Sequence, residues 1–330
     1  MTAFIGRREF ITLLGGAAAA WPLAAAAQQP AMPVIGFLRN SLPVGSGHLL
    51  SALRQGLNDG GYIEGQNALI EYRWSEDRDQ LTALAADLVR RQCTVIIAGG
   101  NAAAAAAKTA TATIPIVFAT GDDPIHVGLV ASLNQPGSNV TGVYFYSGAD
   151  LQSKQLGLLR ELVPSAVLIG VLINPRSPQG ESQARNAQVA ARVLGASIVT
   201  LNVSSQDDFD MAFATLAQQG VGALLIAGDA LFTGHVDRLV ALTIRQRIPA
   251  LHGLREFAAA GLLMTYGANI ANAYRQVGVY TSKILRGAKP AELPIIQPTM
   301  FELVINLQMA KLLGLDVPPS LLARADEVIE

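Results

Sequence analysis

Short apolar runs alternate with amphipathic stretches along most of the chain after residue 33. The first run is Val34–Leu38, and similar runs recur at 94–98, 116–119, 167–173 and 223–227. A continuous apolar run of this length is typical of a strand that is buried on both faces of a parallel sheet. Stretches with helical periodicity separate the runs. The alternation therefore predicts an α/β protein with doubly wound parallel sheets, each covered by helices on both faces.

The strand–helix rhythm breaks once, near Asn139–Tyr144, and then restarts. The two halves are similar in size but show no recognisable repeat of sequence, and a length of 330 residues favours two domains. We therefore expect two α/β lobes. The carboxyl ends of the parallel strands in each lobe should face a crevice, which is where open α/β sheets bind ligands.

The first 27 residues have the parts of an export signal. Arg7 and Arg8 precede an apolar, alanine-rich run over residues 11–27, which ends in four alanines. The adjacent arginines resemble a twin-arginine signal, so we expect cleavage after Ala27 and a periplasmic protein that is not embedded in the membrane. An uncleaved anchor is the alternative, but 17 residues that include Pro22 are short for a membrane span. With no cysteine near the cleavage site, a lipoprotein anchor is excluded.

Charge and cysteine content exclude several classes of protein. The formal net charge is -1, and it becomes -2 on cleavage because the removed residues carry +1. An acidic chain lacks the basic surface that nucleic-acid binding requires. Cys93 is the only cysteine, so the chain can form neither an internal disulfide nor a multi-cysteine metal site. We interpret Cys93 as a buried, inert thiol.

The sequence contains no recognisable catalytic or cofactor motif. There is no G-x-S-x-G elbow, no G-x-G-x-x-G dinucleotide turn and no phosphate-binding G-x-x-x-x-G-K-[ST] loop. The four histidines are scattered and form no metal-binding pair, and we interpret each as a surface or helix-start histidine: His48, His126, His235 and His252. The sequence therefore predicts that the protein is not an enzyme and has neither a cofactor nor a metal.

Small polar residues follow the predicted strands. The loops with this composition are 39–41, 99–101, 120–124, 174–177 and 228–229. Such residues are common in ordinary turns, and we interpret Asp122 or Asp123, which precede Pro124, as a turn cap. Asn101 is expected to cap a helix whose free N–H groups favour an anion such as a carboxylate. Five loops that open toward one crevice together indicate a ligand site.

Several segments spread over the chain carry a family resemblance. They are Asp123–Pro124, Gly128–Leu133, Pro136–Gly142, Gly261–Gly267, Ile284–Pro290, Leu293–Pro294 and Ala323–Glu330. Through them the chain resembles the substrate-binding proteins of ABC uptake systems with the type 1 periplasmic-binding fold. The particular group is typified by tryptophan- and tyrosine-type amino-acid binders. Ser138 departs from this pattern, because the family more often has a second glycine there.

The resemblance implies two lobes joined by a three-strand hinge. Lobe 1 would comprise residues 33–143 and 266–296, and lobe 2 residues 144–265 and 297–330. Ligand contacts from both lobes would stabilise a closed form, which docks on an ABC permease that works with its ATPase. No bond in the ligand would be made or broken. We expect a monomer that binds a small molecule.

The resemblance also assigns roles in binding an amino acid or a related carboxylate. Ser41, Asn101 and Thr120 are the candidates for the ligand carboxylate. Asp229 is the candidate for the ammonium group, and Asn174 would add a hydrogen bond. Aromatic side chains near strand ends could stack on a flat ligand: Phe37, Tyr144, Tyr146 and Tyr266. The complete predicted ligand-binding set is Arg39, Asn40, Ser41, Gly100, Asn101, Thr120, Gly121, Tyr144, Asn174, Asp229 and Tyr266.

Two other functions are compatible with a bilobed exported protein. One is a sensory subunit that presents its ligand to a receptor, and the other is an exported isomerase or lyase. The sequence contains no recognisable nucleophile–base pair, metal cluster or cofactor motif, which argues against an isomerase or lyase. Among ligands, the resemblance favours an aromatic amino acid, while branched-chain amino acids, aromatic acids and other small carboxylates stay open.

Overall fold

Two β-sheets with helices on both faces make up the fold. The computed structural model describes residues 32–43, 46–145, 148–177, 179–297 and 300–330. The predicted signal segment, residues 1–27, and Tyr146 lie outside these ranges. Within them, no helix is both long enough and apolar enough to cross a membrane.

The first sheet has five parallel strands in the order β2-β1-β3-β4-β5. Its strands are β1 (Val34–Arg39), β2 (Leu69–Trp74), β3 (Val95–Gly99), β4 (Ile116–Thr120) and β5 (Val140–Tyr144). The helices between them are α1 (Gly47–Asp59), α2 (Arg78–Arg90) and α3 (Asn101–Ala110). The predicted apolar runs thus become buried parallel strands, as the α/β prediction requires.

The second sheet has seven strands in the order β12-β11-β10-β9-β8-β6-β7. Its strands are β6 (Leu168–Ile173), β7 (Ser197–Asn202), β8 (Ala223–Ile226), β9 (Ala250–His252), β10 (Met264–Ala268), β11 (Phe301–Asn306) and β12 (Glu327–Ile329). The helices of this half of the chain are α4 (Gly148–Leu162), α5 (Gly180–Leu194), α6 (Phe209–Gln218), α7 (Ala230–Thr233), α8 (Val236–Gln246), α9 (Arg255–Ala259), α10 (Ile270–Leu285), α11 (Leu307–Leu313) and α12 (Pro319–Leu322).

The second sheet is not entirely parallel, in contrast to the prediction. β11 pairs with β10 in the antiparallel sense, while β11 and β12 are parallel to each other. The chain leaves β10 for α10, which packs beside the first sheet, and returns to form β11 at the same end of the second sheet. Because it re-enters where β10 ended, β11 has to run in the opposite direction.

Both faces of each sheet are covered by apolar cores. In β1, Ile35 and Phe37 contribute to the core shared with α1 and α10, while Leu38 contributes to the core shared with α2 and α3. We call the first sheet with α1, α2, α3 and α10 the first lobe, and the second sheet with its helices the second lobe. The residue boundaries predicted for the lobes stay a prediction.

Helices α1 and α10 approach each other closely along glycines. A Cβ atom built at Gly56 would lie 1.9 Å from the carbonyl oxygen of Arg275, and one built at Gly278 would lie 2.3 Å from that of Leu53. Neither distance is compatible with any side chain larger than hydrogen. The two glycines therefore let α10 reach the first lobe through backbone-to-backbone contact.

We predict that Gly56→Ala destabilises the protein, although alanine is the better helix former. The methyl group has to push the backbones of α1 and α10 apart, and overpacking of this kind costs about 1–3 kcal/mol. Gly157→Ala is the matched control, because Gly157 lies inside α4, where a Cβ would meet no atom of a neighbouring element within 4 Å. The control should leave stability unchanged or raise it by up to about 1 kcal/mol. Urea unfolding of both variants measures the difference, and equal stability of the two would contradict the packing argument.

Burial of single residues partly matches the sequence interpretation. Cys93 is buried, as predicted, and burial raises the pKa of its thiol. His48 and His126 are exposed, and His235 is the N-cap of α8. The interpretation of His252 as a surface or helix-start histidine is wrong: it is completely buried in β9, where its ring stacks on Phe257 with centroids 3.7 Å apart.

Candidate functional site

The carboxyl ends of β1, β3 and β4 place three of the predicted loops side by side. β3 lies between β1 and β4 in the sheet, so the segments that follow these strands are neighbours. The N–H of Asn40 donates to the Gly99 carbonyl oxygen at 3.2 Å, and the N–H of Gly100 donates to the Ala119 carbonyl oxygen at 2.8 Å. One edge of the first sheet thus gathers polar groups from residues 39–41, 99–101 and 120–122.

Gly100 permits the tight turn between β3 and α3. Its φ is 95°, and a Cβ atom at this position would lie 1.7 Å from Asn40 Oδ1. Gly100 is also the N-cap of α3, so the prediction that Asn101 caps this helix is wrong. Asn101 is the first helical residue, and its side chain is therefore available for contacts outside the helix.

Asn101 joins Thr120 and Asp122 in a hydrogen-bonded cluster. The Thr120 hydroxyl donates to Asn101 Oδ1, and Asn101 Nδ2 donates to Asp122 Oδ2. The N–H of Asp122 donates to Thr120 Oγ1 at 3.2 Å. The Thr120 hydroxyl and the Asn101 amide thus donate within the cluster. The charged group that the cluster offers to a ligand is the carboxylate of Asp122.

Asp122 and Asp123 differ in role, although the sequence suggests a turn cap for either. Asp123 Oδ1 accepts the N–H groups of Ile125 and His126 at 2.9 and 3.3 Å, which is the expected cap. The interpretation is wrong for Asp122, which is half-buried and bonds to side chains of both lobes.

Arg39 supplies a positive charge at the same edge of the sheet. Its guanidinium group lies 5.4 Å from the ring centroid of Tyr274 and 6.0 Å from that of Trp74. Arg39 Nη1 donates to Ser46 Oγ at 3.2 Å. Because a guanidinium group has five N–H donors in a fixed plane, this anchored side chain can hold a carboxylate as well.

The second lobe contributes Asn174 and Asp229 from the ends of β6 and β8. Asn174 Nδ2 donates to Asp229 Oδ1 at 2.9 Å, and the N–H of Leu231 donates to the same oxygen at 2.9 Å. Asp229 therefore caps α7 with one oxygen. The structure brings Asn174 and Asp229 together, as two adjacent strand-end loops allow.

Gln179 connects the two lobes. Its Nε2 donates to Asp122 Oδ1, so the loop after β6 touches the loop after β4. Gln183 lies one turn further along α5, where its Nε2 donates to the Gly228 carbonyl oxygen at 2.8 Å and is 3.5 Å from Gln179 Oε1. A second contact between lobes joins His48 Nε2 and Glu256 Oε1 at 3.1 Å. The strand-end loops of the two lobes therefore face each other at close range.

The electrostatics of this contact centre on Asp122. Burial raises the pKa of its carboxyl group, and the negative charge of Asp229 raises it further. The hydrogen bond from Asn101 opposes the shift. The negative charge of Asp229, in the second lobe, thus acts on Asp122, in the first, which favours a positively charged group near both carboxylates.

The remaining predicted residues occupy several different places. Ser41 Oγ donates to the Leu42 carbonyl oxygen at 3.2 Å. A Cβ atom at Gly121 would lie 3.1 Å from the Phe145 ring, so Gly121 packs near the first crossing between sheets. The N–H of Tyr144 donates to the Ile296 carbonyl oxygen at 2.9 Å.

Tyr266 lies in β10, with its ring stacked on Phe301. The predicted stacking role of Phe37 is wrong, since its side chain is completely buried in the first-lobe core.

Gln179 and Gln183 were missed by the sequence analysis. A glutamine near a helix start carries no signal of its own, because this residue type is common on exposed helix surfaces. Their position after the predicted loop 174–177 is the one feature of the sequence that could have indicated them.

Comparison with known proteins identifies the family. The family model described as ABC transporter substrate binding protein matches residues 47–329, which is most of the chain. The chain belongs to this family. As an ABC transporter substrate binding protein it is a solute-binding protein and not an enzyme, and proteins of this kind act outside the cytoplasm with a permease and its ATPase.

Individual relatives cover most of the chain at modest identity. A tyrosine-binding protein of Clostridioides difficile strain R20291 is 26% identical over 260 residues, which are 78% of this chain and 74% of the relative. An ABC domain from Streptococcus pneumonia in complex with L-Trp is 25% identical, with a TM-score of 0.80 over 90% of this chain and 99% of the other. A conserved domain protein from Vibrio cholerae is 26% identical, with a TM-score of 0.78 over the same shares. The type 1 periplasmic-binding fold is also found in the leucine binding protein of Thermotoga maritima, at 14% identity and a TM-score of 0.50 over 78% of this chain and 77% of that chain.

Proposed function

We propose that this protein is the exported solute-binding component of an ABC uptake system and that it binds an amino acid between its two lobes by hinge closure. The observation that carries the proposal is the hydrogen bond from Gln179 to Asp122, by which the strand-end loops of the two lobes meet. Ligand pockets in α/β proteins form at the carboxyl ends of parallel strands, and both lobes direct these ends toward the contact.

The charged groups at this contact match the two ends of an amino acid. Asp229 is our candidate for the ammonium group, since Asn174 holds its Oδ1 and no described residue forms a hydrogen bond with its Oδ2. Arg39 is our candidate for the ligand carboxylate, together with the N–H groups at the start of α3. This assignment differs from the predicted one because Asn101 and Thr120 direct their donors into the cluster with Asp122.

Relatives support an amino acid as the ligand class. The Clostridioides difficile relative is named for tyrosine, and the Streptococcus pneumonia structure is a complex with L-Trp. Both ligands carry an α-ammonium and an α-carboxylate group beside an aromatic ring. We infer that an aromatic amino acid is the first ligand to test for this chain.

Hinge closure would use the three places where the chain passes between the sheets. These follow Tyr144 and Ala268 and precede Phe301. Backbone hydrogen bonds link the first and third passages, from the N–H of Tyr144 to the Ile296 carbonyl oxygen, and the second and third, from the N–H of Asn269 to the Met300 carbonyl oxygen. A ligand that contacts both lobes stabilises the closed form by its differential affinity for that form. Cleavage after Ala27, export by the twin-arginine route, a monomeric state and docking of the closed form on a permease complete the proposal.

A thermal-shift screen of the purified protein tests the proposal. The panel contains L-tyrosine, L-tryptophan, L-leucine, 3-(4-hydroxyphenyl)propanoate, a sugar and a purine. A ligand that binds only the folded state stabilises it by about 2.7 kcal/mol at a hundredfold excess over its dissociation constant. We expect the aromatic amino acids to raise the melting temperature, while the sugar and the purine leave it unchanged. A shift caused by the sugar or the purine alone would overturn the amino-acid assignment.

A further inference from the structure

Two carboxylates from opposite lobes are held by one short loop. Asn174 Nδ2 donates to Asp229 Oδ1, and Gln179, five residues later, donates through Nε2 to Asp122 Oδ1. Residues 174–177 of this loop form a turn, because the N–H of Ser177 donates to the Asn174 carbonyl oxygen at 3.1 Å. The two side-chain hydrogen bonds place the carboxylates against the same loop, and the negative charge of Asp229 is one of the causes that raise the pKa of Asp122. We call Asp122 and Asp229 the interlobe carboxylate pair.

The interlobe carboxylate pair has uncharged partners. Asp122 accepts from the amides of Asn101 and Gln179, and Asp229 accepts from the amide of Asn174 and a backbone N–H. Within the described ranges, neither carboxylate forms an ion pair with a lysine or an arginine. The charge of His126 opposes the pKa shift of Asp122 without forming an ion pair with it. Two half-buried carboxylates without a lysine or arginine partner carry a cost, which a positive ligand group removes.

A buried amide oxygen beside the pair also needs a donor. Gln183 is 1% exposed, and its Oε1 has no hydrogen-bond partner among the described residues. Its Nε2 donates to the carbonyl oxygen of Gly228, the residue before Asp229, and is 3.5 Å from Oε1 of Gln179, the residue that bonds to Asp122. The amide thus contacts the chain neighbour of one carboxylate and the hydrogen-bond partner of the other. The unpaired oxygen is an acceptor that lacks a donor, and this observation is independent of the charge of the carboxylates.

We propose that Asp122 and Asp229 together hold the ammonium group of the ligand, one carboxylate from each lobe, with Gln183 Oε1 as a further acceptor. This proposal rests on the proposed function and specifies it: the ligand class is amines and amino acids with a free primary ammonium group. Such a group brings one positive charge and three N–H donors, which is what this cluster lacks. Because the carboxylates belong to different lobes, the ammonium group is the part of the ligand that joins them.

The test is titration calorimetry of Asp122→Asn against L-tyrosine, tyramine and 3-(4-hydroxyphenyl)propanoate. Tyramine lacks the carboxylate, and the propanoate lacks the ammonium group. Asparagine removes the charge and keeps an amide oxygen for Gln179, while its amide nitrogen replaces the oxygen that accepts from Asn101. Asp123→Asn is the matched control, since Asp123 is the neighbouring carboxylate that caps the turn. We expect Asp122→Asn to weaken binding of L-tyrosine about 30- to 100-fold, with the control unchanged and the propanoate not weakened.

A double variant keeps the proposal testable if one substitution perturbs the fold. If both carboxylates hold one ammonium group, Asp122→Asn combined with Asp229→Asn should lose less affinity than the product of the two single losses. If the double variant lost affinity by the full product of the two single losses, the two carboxylates would act independently. That result would overturn the proposal that they hold one ammonium group. Asp122→Asn with unchanged affinity for L-tyrosine, or with equal losses for L-tyrosine and the propanoate, would also overturn it.

Failure of the proposed function gives a different pattern. If the unmodified protein binds no amino acid of the panel, the amino-acid assignment falls, and tyramine then tests the ammonium site alone. Tyramine binding that Asp122→Asn abolishes would support the ammonium site without an amino-acid ligand. Binding of the propanoate with no binding of either amine would overturn the ammonium site and leave a receptor for acids.

Discussion

Asp229→Asn should weaken binding of L-tyrosine by about 100-fold or more, which corresponds to at least about 2.7 kcal/mol. The substitution removes the charge that would pair with the ligand ammonium in a partly buried site. It keeps the local fold, because asparagine is an equally good N-cap and can accept the Leu231 N–H that Asp229 now accepts. The loss should therefore appear in the dissociation constant, with little change in the melting temperature of the ligand-free protein.

Asp237→Asn is the control for this measurement. Asp237 is a residue in the first turn of α8, in the same lobe as Asp229. Titration calorimetry should give the same dissociation constant for this variant as for the unmodified protein. An unchanged affinity in Asp229→Asn would remove Asp229 from the site, and a similar loss in both variants would point to a long-range charge effect in place of a contact.

The free energy of unfolding should fall steeply below pH 6.5 because of His252. Burial lowers the pKa of His252 to about 3 from its ordinary value of 6.5, and the backbone of Ala227 only partly opposes this effect. Between these values the unfolded chain binds a proton that the folded protein does not, so stability is full above pH 6.5 and is lost as the pH falls. One proton corresponds to about 1.4 kcal/mol per pH unit, or about 2–3 kcal/mol between pH 6.5 and about pH 4.5.

Urea unfolding of His252→Asn at several pH values measures this contribution. The Leu254 N–H donates to His252 Nδ1 at 3.0 Å, and an asparagine oxygen can accept the same bond. The variant should be less stable at neutral pH, but its stability should depend less on pH than that of the unmodified protein. His126→Asn, which changes an exposed ring, should keep the original dependence. If the free energy of unfolding changed equally with pH in the unmodified protein and in His252→Asn, His252 would not be the source of the pH dependence.

Much of the first lobe was predictable because three of its strands, β1, β3 and β4, are short and almost entirely apolar. The run Val34–Leu38 corresponds to β1, and the run at 116–119 corresponds to β4, since a strand buried on both faces leaves a continuous pattern. The antiparallel β11 was not predictable in this way. The direction of β11 depends on where the chain re-enters the second sheet after α10. The hydrophobic pattern of a strand does not reveal whether the strand pairs in the parallel or the antiparallel sense.

The candidate site was predictable as a set of loops but not as a set of contacts. Asn174 and Asp229 follow neighbouring strands, so the strand order alone brings them together. The partner that Asp122 has in the other lobe is Gln179. This contact depends on the relative orientation of the two lobes, which the local sequence does not encode. His252 was misinterpreted for a related reason, since its residue type suggests the surface while its apolar neighbours Ala250 and Leu251 indicate the interior.

The glycine contact between α1 and α10 also constrains the order in which the molecule can assemble. The first sheet is complete at Tyr144, but α10 begins only at Ile270, after about 125 further residues have been synthesised. At about 5–20 residues per second this interval lasts roughly 6–25 s. During that time the face of the sheet that carries Ile35 and Phe37 has no α10 to cover it. The first lobe therefore stays incomplete while residues 145–269 are synthesised, and its completion depends on a helix that follows most of the second lobe in the chain.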